Sequence, residues 1–290
     1  MRLGFLGPAG TFSEEAVRAG PVDDSADLVP FPSIHDAVMA VEAGRIDRAL
    51  VPIENSLEGG VSATLDALAV DAPGVAIVGE TVLPIRNCLI AREALPLEEI
   101  AVVVSHPQPL AQCARFLRAE LPRAEVRAAT STAEAVRTVA GEPAPWAALG
   151  PRSAAARYGC RLLREAVDDD ADNATRFVWV APPGSAPVGD PDAAAWKTSV
   201  LFAGAGDAKP GWLVRCLSEF AFRGVNLVRI ESRPRRGILG HYLFHVDMEG
   251  RSGDAPVAEA IAALHAHCEE VRVLGSYPSA ARTRTARSGP

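Results

Sequence analysis

The chain has 290 residues, 48% hydrophobic and 22% charged, with a formal net charge of -7. That length suffices for about two domains with full cores. The acidic balance excludes a nucleic-acid binder that works through a broad basic surface. Cys88, Cys113, Cys160, Cys216 and Cys268 are scattered and odd in number. Their spacing fits no metal site or disulfide framework, so they read as reduced thiols of a cytoplasmic protein. Met1-Arg2 runs straight into Leu3-Gly4-Phe5-Leu6, without the flanks of a signal peptide. No apolar run approaches the ~20 residues needed to span a bilayer.

Up to about residue 180 the sequence alternates strand-like and helix-like pieces. Strands are predicted over Leu3–Leu6, Ala49–Ile53, Val75–Leu83, Ala101–Ser105, Ala147–Leu149 and Phe177–Val180. Amphipathic helices are predicted over Ser13–Arg18, Ile34–Ala43, Leu110–Glu120 and Thr132–Val139. Alternation of this kind predicts an α/β domain with a largely parallel sheet, here as two lobes around a cleft. Polar clusters at strand ends are where such sheets bind ligands.

The first cluster is Gly7-Pro8-Ala9-Gly10-Thr11-Phe12-Ser13. It is either an anion-binding turn at a helix N-terminus or a plain turn capped by Thr11 or Ser13. Glycines at 4, 7 and 10 do not make the dinucleotide fingerprint. Next comes Val51-Pro52-Ile53-Glu54-Asn55-Ser56-Leu57-Glu58-Gly59-Gly60, where Asn55 and Ser56 either wall a cleft or start a helix at Leu57. In Ser105-His106-Pro107-Gln108-Pro109-Leu110-Ala111-Gln112 two prolines stiffen a strand exit, with Ser105 at the strand end and Gln112 able to point back. His106 reads as a surface residue beside proline. Asp172-Asn173-Ala174-Thr175-Arg176-Phe177 brings a guanidinium fork to a strand mouth, suited to clamping a carboxylate.

Residues 182–195, rich in Pro, Gly and Ala, read as a linker. The remainder, about 196–278, reads strand (Thr198–Phe202), helix (Trp212–Arg223), strand (Val225–Ser232), strand (His241–Met248), helix (Val257–His267), strand (Val271–Ser276). That βαββαβ order is the ferredoxin-like plan. Its own polar segments are Gly211-Trp212-Leu213-Val214 at a helix start and Asn226 through Pro234, the latter equally an edge strand blunted by charge and proline. Residues 279–290 read as a disordered basic tail.

Taken in order, G-P-A-G-T-F-S, V-P-I-E-N-S-L-E-G-G-V, S-H-P-Q-P-L-A-Q-C, A-L-G-P-R-S-A-A-A-R-Y-G, N-A-T-R-F and E-S-R-P resemble the prephenate dehydratase family over nearly the whole chain. The resemblance implies a two-lobed catalytic domain (1–181) similar to type II periplasmic binding proteins, and an ACT regulatory domain (196–278). It implies conversion of prephenate to phenylpyruvate, with loss of water and carbon dioxide and no metal or organic cofactor. Thr175 then assists departure of the ring hydroxyl. Arg176 and the turn of Pro8, Ala9, Gly10 and Thr11 hold substrate carboxylates, with Phe177 beside them. Asn55, Ser56, Ser105 and Gln112 line the cleft, and Glu54 faces it or braces it. L-phenylalanine is implied as the effector, bound between subunits of a homodimer or homotetramer by Gly211, Trp212, Leu213, Val214, Asn226, Leu227, Glu231, Ser232, Arg233 and Pro234. Two positions depart from the family's pattern. Trp212 stands where the effector loop usually has a small residue, and Thr130-Ser131-Thr132 stands where some relatives have Glu-Ser-Thr. An arogenate dehydratase and a non-catalytic sensor on the same fold are the alternatives; neither a membrane nor nucleic acid is an expected partner.

Overall fold

The computed structural model describes residues 1–23, 25–204, 209–235 and 240–280. The tail expected to be disordered lies outside the described residues from 281 onward. The first lobe is built from β1 (Arg2–Leu6), α1 (Phe12–Ala19), β2 (Asp27–Phe31), α2 (Ile34–Glu42), β3 (Arg48–Asn55), β4 (Gly59–Gly60), α3 (Ser62–Asp66) and β5 (Ala76–Pro84). The second contains β6 (Cys88–Ala91), β7 (Val102–Ser105), α4 (Pro107–Gln112), α5 (Ala114–Glu120), β8 (Glu125–Ala128), α6 (Thr132–Gly141), β9 (Trp146–Gly150), α7 (Arg152–Tyr158) and β10 (Arg161–Arg164). The chain then returns to the first lobe as β11 (Ala174–Ala181).

That return shapes the sheets. The first runs β2-β1-β3-β11-β5 with β4 on β3, and the second runs β10-β6-β9-β7-β8. Strand β11 enters from the far end, so it pairs antiparallel with both β3 and β5. Strand β6 is likewise antiparallel to β9. Both sheets are therefore mixed rather than largely parallel. At the crossings Asn87, fully buried, donates from its backbone N and from Nδ2 to the two oxygens of Asp168, each at 2.6 Å. This clasp ties together the two segments that join the lobes.

Local sequence explains the helices. Ser33 caps α2 by accepting from the Asp36 amide at 3.0 Å, and Ala37, Val38 and Val41 bury one face. Ser131 does the same for α6, accepting from Glu134 N at 3.0 Å. The single helix expected over Leu110–Glu120 is two helices, broken at Cys113. The Asp169 carboxylate accepts from the Arg115 and Phe116 amides and so caps α5 from the lobe junction.

The last part contains β12 (Trp196–Ala203), α8 (Trp212–Ala221), β13 (Leu227–Pro234), β14 (Tyr242–Glu249), α9 (Ala255–Leu264) and β15 (Glu270–Pro278). Its sheet order is β13-β14-β12-β15. One face packs on the two helices through Val200, Phe202, Trp212, Phe220, Val246 and Leu264. The other face is covered by the first lobe. Leu201, Leu243, Leu274 and Tyr277 share one apolar cluster with Leu68, Ile77, Val178 and Val180. Contact is close enough that a Cβ on Gly275 would stand 2.0 Å from the Ile77 carbonyl oxygen. Within the segment expected to be a linker, Val188 is buried and its amide donates to Val78 O at 2.7 Å, while most of its neighbours are exposed.

Candidate active site

A cavity of about 1010 Å³ lies between the two lobes. Three helices begin on its wall. Thr11, Phe12 and Ser13 start α1, His106 and Gln108 start α4, and Ser131 and Thr132 start α6. At α1 and α6 free amides and the aligned peptide dipoles give a positive potential, whereas at α4 Pro107 and Pro109 carry no N–H and the Gln108 amide donates to His106 Nδ1. An anionic ligand therefore suits this cleft without a large excess of cationic side chains. Among the described residues no group of three or more His, Cys, Asp or Glu is arranged to hold a metal ion.

The floor is the junction of β3 and β11, where Thr175 stands opposite Asn55. Asn55 is buried, and its Nδ2 donates to Thr175 Oγ1 at 2.9 Å and to Asn173 Oδ1 at 2.9 Å. Its Oδ1 accepts from the amides of Leu57 and Glu58, at 3.0 and 3.1 Å. Of the two roles its sequence context allows, Asn55 takes the cleft wall, and it organises the turn that follows, its Nδ2 engaged by Asn173, Ala174 and Thr175. No helix starts at Leu57; the chain turns into β4 instead. Asn173, almost fully buried, donates from Nδ2 to Gln112 Oε1 of the second lobe at 3.2 Å. A relay of amides therefore runs Gln112–Asn173–Asn55 and ends on the Thr175 hydroxyl. With Asn55 as donor, the Thr175 hydroxyl keeps its own proton for another partner.

The structure separates residues that sit together in sequence. Side chains alternate across a strand, so Thr175 and Phe177 line the cavity while Arg176 points to the opposite face. Its Nε lies 3.1 Å from Glu54, its Nη1 lies 3.2 Å from Glu80, and its Nη2 bonds Asp247 of β14. The expected carboxylate clamp is thereby corrected: the guanidinium is buried and committed to the protein's own acids. Burial opposes its charge, but Asp247 leads the groups that hold it firmly protonated. Glu54 lies on that same face and braces Arg176 rather than facing substrate. An extra residue, Ile53, interrupts the pairing between Glu54 and Pro52, and Pro52 returns to the cavity wall.

Two further expectations are corrected. Ser105 is fully buried and donates to Leu149 O at 2.7 Å, so it fastens β7 to β9. The exposed Ser56 hydroxyl accepts from the Ala174 amide at 3.0 Å and latches β3 to β11. In the first turn Pro8 and Thr11 line the cavity, but the other two are occupied elsewhere. The Gly10 amide donates to Glu14 Oε2 at 2.7 Å, and Ala9 O accepts from the Tyr158 hydroxyl at 3.3 Å. Sequence reading missed Glu58, Ser131, Arg137, Tyr158 and Asn173 as part of the wall. Asn173 was within a motif already singled out; Arg137 lies on a helix whose amphipathic pattern gave no hint of a cleft.

The expected effector segments also divide. Gly211 caps α8 with φ +78°, and Val214 and Asn226 are exposed. The Trp212 indole is buried in the core, tilted against Phe202 and Phe244, and donates to His267 O at 2.6 Å. Arg233 grips Asp66 at the end of α3 with two bonds of 3.0 and 2.8 Å. The Glu231 carboxylate lies over Gly60, where a Cβ would meet it at 2.6 Å. Strand β13 thus rests on the hairpin that forms the cleft floor.

On β14 lies His245, with both ring nitrogens buried and without a hydrogen-bond partner among the described residues. Burial first, then the charge of Arg229, pushes its pKa down from 6.5 to about 4; Arg272 adds to this, and Asp247 and Asp66 oppose it. The unfolded chain binds this proton first as pH falls, so stability rises with pH across that window. We expect wild type to lose about 2 kcal/mol between pH 7 and pH 5 through this group. Denaturant midpoints measured across that range should fall more steeply than those of His245→Asn. Parallel curves would refute the assignment.

Comparison with known proteins agrees over the full length. A family model described as prephenate dehydratase matches residues 3–184. The prephenate dehydratase of Mycobacteroides abscessus is 41% identical, with 100% of this chain and 94% of that one covered. Among solved structures, a prephenate dehydratase from Arthrobacter aurescens in complex with L-Phe aligns with a TM-score of 0.86 and 40% identity, covering 96% of this chain and 90% of that one. GqqA, described as a novel type of quorum quenching acylase, aligns with a TM-score of 0.84 at 29% identity, over 97% and 98% of the two chains.

Proposed function

The chain belongs to the prephenate dehydratase family, and on that premise we propose that the cleft carries out the reaction at the junction of Thr175 and Asn55. The activity is that of a carbon–oxygen lyase: prephenate loses its ring hydroxyl and ring carboxylate and becomes phenylpyruvate. The observation that carries the site assignment is the Thr175 hydroxyl on the cleft floor, accepting from Asn55 Nδ2, which leaves its own proton free to be donated.

The reaction asks for two things. The ring C–O bond must break with its electron pair leaving on oxygen, and one proton must be taken up to make water. In the same event the C–C bond to the ring carboxylate breaks and its electron pair enters the ring as carbon dioxide departs. Aromatisation supplies the driving force. A threonine hydroxyl is too weak an acid to be the ultimate proton source at neutral pH. Its role is a fixed donor that strengthens as negative charge grows on the leaving oxygen. Gln112 and Asn173 hold Asn55, and Asn55 holds Thr175, so the donor is set before substrate arrives. Pro8, Thr11 and Phe177 complete the wall on the first-lobe side.

We read residues 1–181 as the catalytic domain, of the type II periplasmic-binding-protein kind, and 182–195 as a linker pinned to the first lobe at Val188. Residues 196–278 we read as a ferredoxin-like ACT domain that takes L-phenylalanine at an interface between at least two copies, in the cytoplasm. Gly211, Val214 and Asn226 offer the exposed part of that surface, with Leu213 and Leu227 half-buried beside them. Glu231, Ser232, Arg233 and Pro234 carry the response inward, through Gly60 and Asp66, to the cleft. Phe has to prefer one of two arrangements for this to regulate anything. Titration calorimetry of the whole protein with L-Phe is expected to show saturable binding coupled to lower activity. An absence of heat together with unchanged turnover would remove the regulatory reading. Purified protein assayed with prephenate and with arogenate in parallel tests the activity; phenylpyruvate formed from the first at the higher kcat/KM is the expected result.

A further inference from the structure

Prephenate is a dianion, and the residue that seemed made to clamp one of its carboxylates, Arg176, faces away from the cleft. The charged side chains that do line the cavity are Glu58, Glu134 and Arg137, with His106 beside them. Among the described residues that line the cavity, Arg137 is thus the single one bearing a guanidinium or ammonium group. It sits on the second turn of α6, exposed, with a loose approach of 3.8 Å to Glu134. Glu134 is engaged elsewhere: it receives the Thr130 amide at 3.2 Å and the Thr130 hydroxyl. Thr175 and Asn55 belong to the first lobe and Arg137 to the second, so the two lobes bring the hydroxyl and the guanidinium to one cavity.

We propose that Arg137 is the substrate-binding residue for the side-chain carboxylate of prephenate, the one belonging to the pyruvyl group. The choice between the two carboxylates follows from the electron flow. The ring carboxylate gives up its negative charge as the C–C bond breaks. A cation paired with it would stabilise the ground state more than the transition state and would slow the reaction. The pyruvyl carboxylate keeps its charge from substrate through transition state to product. A cation there holds all three equally, which is uniform binding and belongs in KM. This inference rests on the prephenate dehydratase reading of the cleft and adds to it the orientation of the substrate. The ring lies towards Thr175, and the side chain lies towards α6.

The test is Arg137→Gln beside Arg137→Lys, with wild type as reference and circular dichroism to confirm the fold of each. For Arg137→Gln, KM for prephenate is expected to rise about tenfold to a hundredfold while kcat stays within about twofold. Arg137→Lys should recover part of the loss, because charge is kept and the fork is not. Phenylpyruvate retains only the pyruvyl carboxylate, so its constant as a product inhibitor should weaken by the same factor as KM. An unchanged KM overturns the assignment. A raised KM with an unchanged product constant places Arg137 on the ring carboxylate and overturns it equally. Wild-type protein that leaves prephenate untouched would overturn the reading beneath it, a result distinct from either.

Discussion

Thr175→Ala is expected to lower kcat for prephenate by about 10²- to 10³-fold while KM changes by less than about threefold. The hydroxyl contributes to the step in which charge appears on the leaving oxygen, so its loss falls on the transition state. Thr175 is only partly buried, and its partner Asn55 retains Asn173 and the Ala174 carbonyl, so the fold survives the change. Thr175→Ser keeps an oxygen at the same place and should restore most of the rate, with some loss from a freer rotamer. Steady-state kinetics of the two variants decide the matter. Alanine at wild-type kcat would end the donor role, and serine no better than alanine would mean that the methyl group, not the hydroxyl, was needed.

The second large effect falls on stability. Asp247 is buried beneath both Arg176 and Arg229, within 3.7 Å of the latter, and accepts from Ser199 Oγ at 2.6 Å. Burial alone would raise its pKa; Arg176 first and Arg229 next overcome this and hold the carboxyl below its ordinary range. Asp247→Ala leaves two buried guanidiniums short of a counter-charge, which costs about 3–5 kcal/mol. For a protein of this size the melting temperature should fall by on the order of 10 °C. Asp27, paired with Arg2 where both side chains are more than half exposed, is the comparison: Asp27→Asn should shift stability by less than about 1 kcal/mol. Because Arg176 lies between Thr175 and Phe177 in one strand, Asp247→Ala should also lower kcat of the folded enzyme. Equal melting points for the Asp247 and Asp27 variants would show that the buried cluster is not held by charge.

Much of the first sheet was legible because its strands are apolar runs that end in polar clusters. Leu3–Leu6, Ala49–Ile53 and Phe177–Val180 all lie within observed strands. Strands β2, β8 and β10 were not legible: DLVPF, EVRA and RLLR mix charge or proline into short edge or near-edge segments, with no alternation to read. The motifs located the cleft, and Asn55, Thr175, Gln112, Pro8, Thr11 and Phe177 do meet there. What the motifs obscured was direction. Adjacent residues of a strand point to opposite faces, so Thr175 and Arg176 cannot share a cavity, nor can Asn55 and Glu54. That alternation was available from the sequence once Ala174–Ala181 was read as a strand. What was not available was Asp247, more than seventy residues away along the chain, which decides what the turned-away arginine meets.

The common apolar cluster of the first lobe and the C-terminal sheet has a consequence for protein engineering and for gene fusion. A regulatory module joined only by a tether can be deleted or exchanged as a cassette. Here, cutting at residue 182 would lay bare Leu68, Ile77, Val178 and Val180 on one fragment and Leu201, Leu243, Leu274 and Tyr277 on the other. Each fragment would carry a sticky apolar face and tend to aggregate. A workable chimaera would have to transplant the seam as well as the sensor, keeping glycine at 275 against the Ile77 carbonyl and an acid at 247 for Arg176. The C-terminal sheet of this chain is built into the body of the first lobe, so the two parts have to change together.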